Sequence, residues 1–201
     1  MTVRVFYLTF GGRPTFCRDS PAIVCQDEEL NMIAPPQAHE FNPYYGRYLG
    51  LVQGDDLTSV LDKQIKHTLP FLHGISAEKS LHRYEPGKWS IKEMLGHVID
   101  AERIFGYRAL RFARNDQTPL PGFDQDPYVA AAGSDSRPWS DLIAEFEQVR
   151  RSTILFFGGL TPEAALRSGK ANDSAMSVRA AGYIIAGHEL HHVGVLREKY
   201  L

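Results

Sequence analysis

The sequence predicts an all-α protein: a four-helix bundle with a loosely structured N-terminal extension. Three observations predict it. Four long segments repeat apolar residues at helical spacing, each opens at a recognisable start signal, and no clear strand pattern appears beyond the N-terminal arm. A chain of 201 residues can also bury a substantial core in one domain without disulfides or a structural metal.

Residues 1–40 read as an extension and residues 41–201 as the bundle. TVRVFYLTF alternates like a strand and GGRPTFCRDSP is turn-like, yet no strand partner is evident. Met32 opens MIAPPQAHEFNPYYGRYLGLV, which reads as a natural beginning. Translation from Met32 is one expectation and a loosely attached arm is the other. Tyr44, Tyr45 and Tyr48 are spaced for a helical turn packed on the bundle.

Asp55 or Asp56 caps the first long helix, whose apolar stripe is Leu57, Val60, Leu61, Ile65, Leu69 and Leu72. Pro70 should kink it or end it early. Ser90 and Glu93 form an S-x-x-E capping box. The helix they open runs to about Arg114, with Ile91, Met94, Leu95, Val98, Phe105, Ala109 and Phe112 inward. Trp89 is expected to anchor its start in the core, and Arg108, Arg111 and Arg114 read as a solvated face. NDQTPLPGFDQDP is a long connection whose part from Thr118 to Asp126 could wall a pocket. Ser136 and Pro138 begin a third helix along Leu142, Phe146, Val149, Thr153 and Phe156 or Phe157, ended by Gly158-Gly159. After one turn at TPEAAL, Ser177 caps a last helix with Val178, Ala181, Ile185, His188, His192 and Val195 inward.

Composition excludes several function classes. A net charge of −2 gives no drive toward nucleic acid or an anionic membrane surface. No apolar run approaches a membrane span, and the N-terminus, interrupted by Arg4, does not read as a signal peptide. Cys17 and Cys25 lack C-x-x-C spacing, so a reducing, cytoplasmic location is expected.

The chemistry concentrates in three histidines. His188 and His192 are four apart and stack on one helix face, which periodicity makes the apolar one. Buried imidazoles cost free energy unless their nitrogens find partners, and one shared metal ion supplies a partner to both. His97 lies at the edge of another inward stripe, and a bundle builds metal sites from facing helices. Three neutral imidazoles suit one divalent ion and leave positions open for water or substrate. Zinc and nickel lead, with iron as a third choice. The blander reading is a set of core histidines bonded to backbone. His191 is about 100° round the helix from His192 and does not share the ion easily.

GHELHH also contains H-E-x-x-H, the zinc helix signature of metalloproteases. That reading fails for want of a downstream ligand. Glu198 alone follows, on the far side of the helix from His192, and no sheet is evident to bind a peptide. A carboxylate near the ion would serve as base or would orient a histidine. Asp100, three residues after His97, is the first choice, Glu93 the second and Glu189 the third.

PGKWSIKEMLGHVIDAE, followed by a long connection and GHELHHVGVLREKYL, resembles the DinB-like (YfiT-like) superfamily over about Pro43 to Leu201. The resemblance implies a four-helix bundle with a three-histidine metal site, mapped onto His97, His188 and His192, and does not fix Glu at position 189. It further implies a metal-dependent hydrolase, or a transferase of a low-molecular-weight thiol such as bacillithiol or mycothiol. A small-molecule substrate and a homodimer follow from the same likeness. The alternative is a non-catalytic metal- or ligand-binding stress-response bundle.

Overall fold

The computed structural model describes residues 32–201. The expected strand near the N-terminus, Cys17 and Cys25 lie outside the described residues. The helices are α1 (Gly46–Leu49), α2 (Leu57–His73), α3 (Ile91–Ala113), α4 (Gln125–Ala132), α5 (Trp139–Gly158), α6 (Pro162–Leu166) and α7 (Val178–Val195). α7 runs on into a π turn over Leu196–Tyr200. A hairpin of β1 (Ser168–Ala171) and β2 (Ser174–Ser177) precedes α7.

The long helices α2, α3, α5 and α7 form the expected four-helix bundle. α2 and α3 each pack against both α5 and α7. Consecutive long helices α2 and α3 therefore sit on one diagonal, and α5 and α7 on the other.

The caps explain where the helices begin. Asp56 Oδ2 accepts from the Ser59 N–H, Ser90 and Glu93 make the reciprocal capping box, and Ser177 Oγ accepts from the Ala180 N–H. The other Asp56 oxygen takes the Ile33 N–H at 3.0 Å, and the Ile33 carbonyl accepts from Leu57 N–H and the Tyr183 hydroxyl. Glu40 is held by Arg179 and by the Ser177 hydroxyl. Residues 32–40, expected to be part of an extension, are thus bonded to the starts of α2 and α7.

Three expectations need correction. α2 continues through Pro70 to His73. Pro70 falls in the last turn, and the Lys66 carbonyl it leaves without an N–H is on an exposed residue, where water can serve it. The long connection holds a helix, α4, whose N-cap is Asp124. The stretch before α7 is a hairpin closed at Asn172-Asp173, both with positive φ, which suits a type I′ turn. Leu120 pairs with this hairpin through Lys170 O and the Asn172 N–H, so the 118–124 connection is pinned to it.

The core is divided. One apolar cluster, around Leu57, Leu61, Phe105, Phe112, Phe157 and Ile184, fills one end of the bundle. The other, around Leu72, Ile91, Leu95, Leu142, Phe146 and Leu196, fills the opposite end. Between them lies a buried polar layer of Gln64, Thr68, Glu102, Arg150 and Glu189, drawn from all four long helices.

Candidate metal centre

His97 comes from α3 and His188 and His192 from α7, the helices packed most closely along the bundle's flank. Their Nε2 atoms converge. His188 Nε2 is 3.1 Å from His97 Nε2 and 3.1 Å from His192 Nε2. His97 and His188 are 3% and 7% exposed. Trp89 leans on the His97 ring at 4.9 Å, and Tyr48 meets the His188 ring edge-on at 5.3 Å.

The donor set fits a cation. Burial pulls the pKa of His97 down to about 4 and that of His192 to about 3, and it lowers His188 well below the usual histidine range. All three rings are therefore neutral near pH 7 and present lone pairs. The shared His188 Nε2 carries either one N–H or one lone pair, so it cannot serve both 3.1 Å contacts well. His192 Nδ1 also has no hydrogen-bond partner among the described residues. The separations are close to the ligand–ligand edge of about 3.3 Å expected of nitrogens bound at about 2.05 Å in a tetrahedron. The histidines hold the one cluster of three such ligands found among the described residues.

His97 and His188 of the triad form part of the wall of a cavity of about 580 Å³. Tyr44, Tyr45 and Tyr48 line one side, Ala101 and Phe105 of α3 the floor, and Phe123, Asp124 and Gln125 the side beneath α4. Asn172 and Ser174 close the hairpin end. α1 reaches this place because Gly187 lets it: a Cβ at 187 would lie 2.2 Å from the Tyr48 carbonyl oxygen. The expected pocket wall in the 118–126 connection is present in Phe123, Asp124 and Gln125.

The three candidate carboxylates stand elsewhere than on this wall. Glu93 closes the capping box and pairs with Arg83. Glu189 points into the polar layer, where it accepts from Arg150 and from Thr68 Oγ1. It holds the sequence position of a zincin base, one residue after His188, but these two bonds keep it inside the bundle and off the cavity wall. Asp100 faces the charges of Arg103, Glu145 and Arg137, and burial raises its pKa. The carboxylate that does line the cavity is Asp124, which also caps α4. Arg108 is corrected too: it is 3% exposed rather than solvated, because Phe105 and Phe112 place that turn of α3 inward.

Comparison with known proteins agrees with this picture. Residues 61–196 match the DinB superfamily. A relative from Oceanobacillus iheyensis, provisionally named a metal-dependent hydrolase, is 23% identical over 128 residues, covering 63% of this chain and 73% of its own. YfiT from Bacillus subtilis, described as a probable metal-dependent hydrolase with an unusual four-helix bundle topology, superposes with a TM-score of 0.60 at 16% identity. That match covers 81% of this chain and 89% of YfiT, and at such identity it is a likeness of fold. No helix among the described residues is long and apolar enough to cross a membrane.

Proposed function

The chain belongs to the DinB superfamily, and from that premise we propose that it is a metal-dependent hydrolase of a small molecule. One divalent ion would be held by His97, His188 and His192. The observation that carries the reading is the convergence of three neutral imidazole nitrogens, with His97 and His188 on the wall of a cavity large enough for a substrate. The names given to the relatives support it. Zinc or nickel is the ion we propose, with iron next.

When bound, such an ion supplies Lewis acidity and lowers the pKa of water at its open positions. The chain's residues do the rest. Trp89 and Tyr48 hold the His97 and His188 rings by packing on them. Asp124, on the cavity wall, would accept a proton from a reacting water, and Asp100, one turn along α3 from His97, is the carboxylate proposed to act through that histidine's position. Asp100→Asn should keep the metal and lose activity; retained activity would remove Asp100 from the scheme.

Transfer to a low-molecular-weight thiol is a second reading of the same site. It is favoured by a cavity volume that leaves room for a thiol beside an electrophile. A homodimer and a cytoplasmic location complete the proposal; light scattering and cell fractionation test them.

The test is metal content by mass spectrometry on untagged protein, for wild type and His97→Ala. Near one ion per chain, lost in the variant, is the expected result. No ion in either, even after zinc or nickel is added, overturns the reading. Turnover of an ester, amide and thiol-plus-electrophile panel then separates an enzyme from a non-catalytic metal-binding bundle.

A further inference from the structure

We infer that one water molecule sits between Thr68, Glu189 and His192, where it accepts a hydrogen bond from His192 Nδ1 and donates one to the Glu189 carboxylate. Glu189 is thereby a positioning residue for a metal ligand. This deepens the proposed function, and it rests on that reading in taking His192 as a ligand.

The three groups line one small space. Glu189 is three residues before His192 on α7, so their side chains leave the helix about 60° apart and one turn apart along it. Thr68 comes from α2 and donates its hydroxyl to Glu189 Oε1. A void of about 10 Å³ lies where they meet, and Thr68, Glu189 and His192 are the residues with polar side chains along its wall. The rest of the wall is apolar, Leu72, Leu95 and Phe146 among it. That volume is about what a single water needs. The space is separate from the large cavity, whose wall holds His97 and His188 but not His192.

The hydrogen bonds call for a bridge at this place. His192 Nε2 meets His188 Nε2 at 3.1 Å, inside the triad. Its Nδ1 is buried and has no partner among the described residues. A neutral ring whose Nε2 lone pair goes to a cation carries its one proton on Nδ1, which must then donate. A buried N–H without an acceptor is costly, and metal-holding histidines nearly always donate there to a carboxylate, a backbone carbonyl or a water. Glu189 has capacity to spare. A carboxylate offers about four lone-pair sites, and Thr68 and Arg150 each supply one hydrogen to it. Thr68 Oγ1 gives its proton to Glu189 and keeps a lone pair of its own. The water therefore has one donor, His192, and two acceptors, Glu189 and Thr68, which is the usual complement of a buried water. Because Arg150 and Thr68 fix the Glu189 carboxylate, the bridge fixes the His192 ring, and the polar layer becomes the support of the triad.

Two measurements on the full chain test this. A high-resolution crystal structure should show one water within about 2.7–3.2 Å of both His192 Nδ1 and a Glu189 oxygen. Zinc affinity, measured by competition with a chelating dye, should fall about tenfold or more in Glu189→Gln. Thr68→Val should weaken it by a smaller factor, and Thr68→Ser should restore the wild-type value. Glu102→Gln disturbs Arg150 from its other side and does not line the void, so it should keep the wild-type affinity. No density for a water at that place, a direct bond from His192 Nδ1 to a protein atom, an unchanged affinity in Glu189→Gln, or an equal fall in Glu102→Gln would overturn the inference. A wild type that binds no zinc or nickel would remove the proposed function instead, and the density would then decide on the water by itself. Circular dichroism checks the fold. Should Glu189→Gln not fold, Thr68→Val against Thr68→Ser decides the matter.

Discussion

The polar layer at the centre of the bundle and the turn of α3 beside the cavity's Phe105 and Phe123 each bury an arginine, and they treat it in different ways. Arg150 is wholly buried and is met by Glu102 through Nε and Nη2 at 2.9 and 2.8 Å, by Glu189, and by Gln64. Glu102 and Glu189 hold Arg150 protonated despite its burial. Arg108 has a carbonyl, a tyrosine and two aromatic faces. The same division runs along α7 between neighbours: Glu189 is satisfied inside the layer, while His188 faces nitrogens that cannot satisfy it. Where buried polar groups close on one another they knit helices together. Where they stay under-served, as His192 Nδ1 does beside the converging Nε2 atoms, they suit the ion we propose.

The largest effect should come from breaking the closed layer. Arg150→Met leaves two buried carboxylates facing each other without a cation, which costs about 3–5 kcal/mol in comparable cases. Urea unfolding should show a loss of that order. Adding Glu102→Gln and Glu189→Gln to the same variant should recover much of it, because the uncompensated charges go as well. Arg108→Met, also at a buried position, should lose much less, since it abandons the Pro121 carbonyl and the Tyr45 hydroxyl but no buried charge. If both arginine variants lose the same amount, the contrast between the two regions is wrong.

A smaller effect should come from the contact that sets the cavity wall. Gly187→Ala drives a methyl into the Tyr48 carbonyl, which is backbone and cannot rotate away. α1 must shift, and overpacking of this kind costs about 1–3 kcal/mol. Gly194→Ala, on the same helix but facing open space, should be neutral or stabilising by up to about 1 kcal/mol through helix propensity. Thermal unfolding of the two variants side by side gives the answer. A Gly187→Ala protein as stable as Gly194→Ala would mean that α1 is not seated on α7 as described.

Much of this was legible in the sequence, and the reason is local. The stripes along α2, α3, α5 and α7 and the caps at Asp56, Ser90 and Ser177 act within a turn or two, so spacing alone reveals them. The three histidines were legible because they interrupt apolar stripes. Arg150 interrupts one too, four residues after Phe146, and Glu102 sits four after Val98; the same signal would have found the layer had charged residues on stripes been weighed like the histidines. Arg108, three residues after Phe105, is a further case. The hairpin was not legible. Its strands, SGKA and SAMS, contain no β-branched residue, and what holds them is the pairing with Leu120, nearly 50 residues earlier. The diagonal helix order was hidden for a similar reason, since it depends on which faces meet and not on any one face.

The smallest effect tests a pair lying between the two extremes. Glu40 and Arg179 are partly buried, with side-chain exposures of 10% and 14%, and they join the N-terminal segment to the start of α7. Burial alone would raise the Glu40 pKa. Hydrogen bonds from Arg179, the Ser177 hydroxyl and the Gln37 N–H outweigh it and hold the value down to about 2, against 4.5 for a free glutamate. A carboxyl with a depressed folded-state pKa is protonated first in the unfolded chain. Its stabilisation is therefore complete above about pH 4.5 and is lost as pH falls toward about 2. Water reaches the pair, so about 1–2 kcal/mol is a fair size for the term. Glu40→Gln should be less stable than wild type by that amount at pH 7, and the gap should close between pH 4.5 and pH 2 in denaturant titrations. A gap that stays constant across that window would show that the lost stability comes from packing, and that this pair behaves like neither the closed layer nor the open cavity.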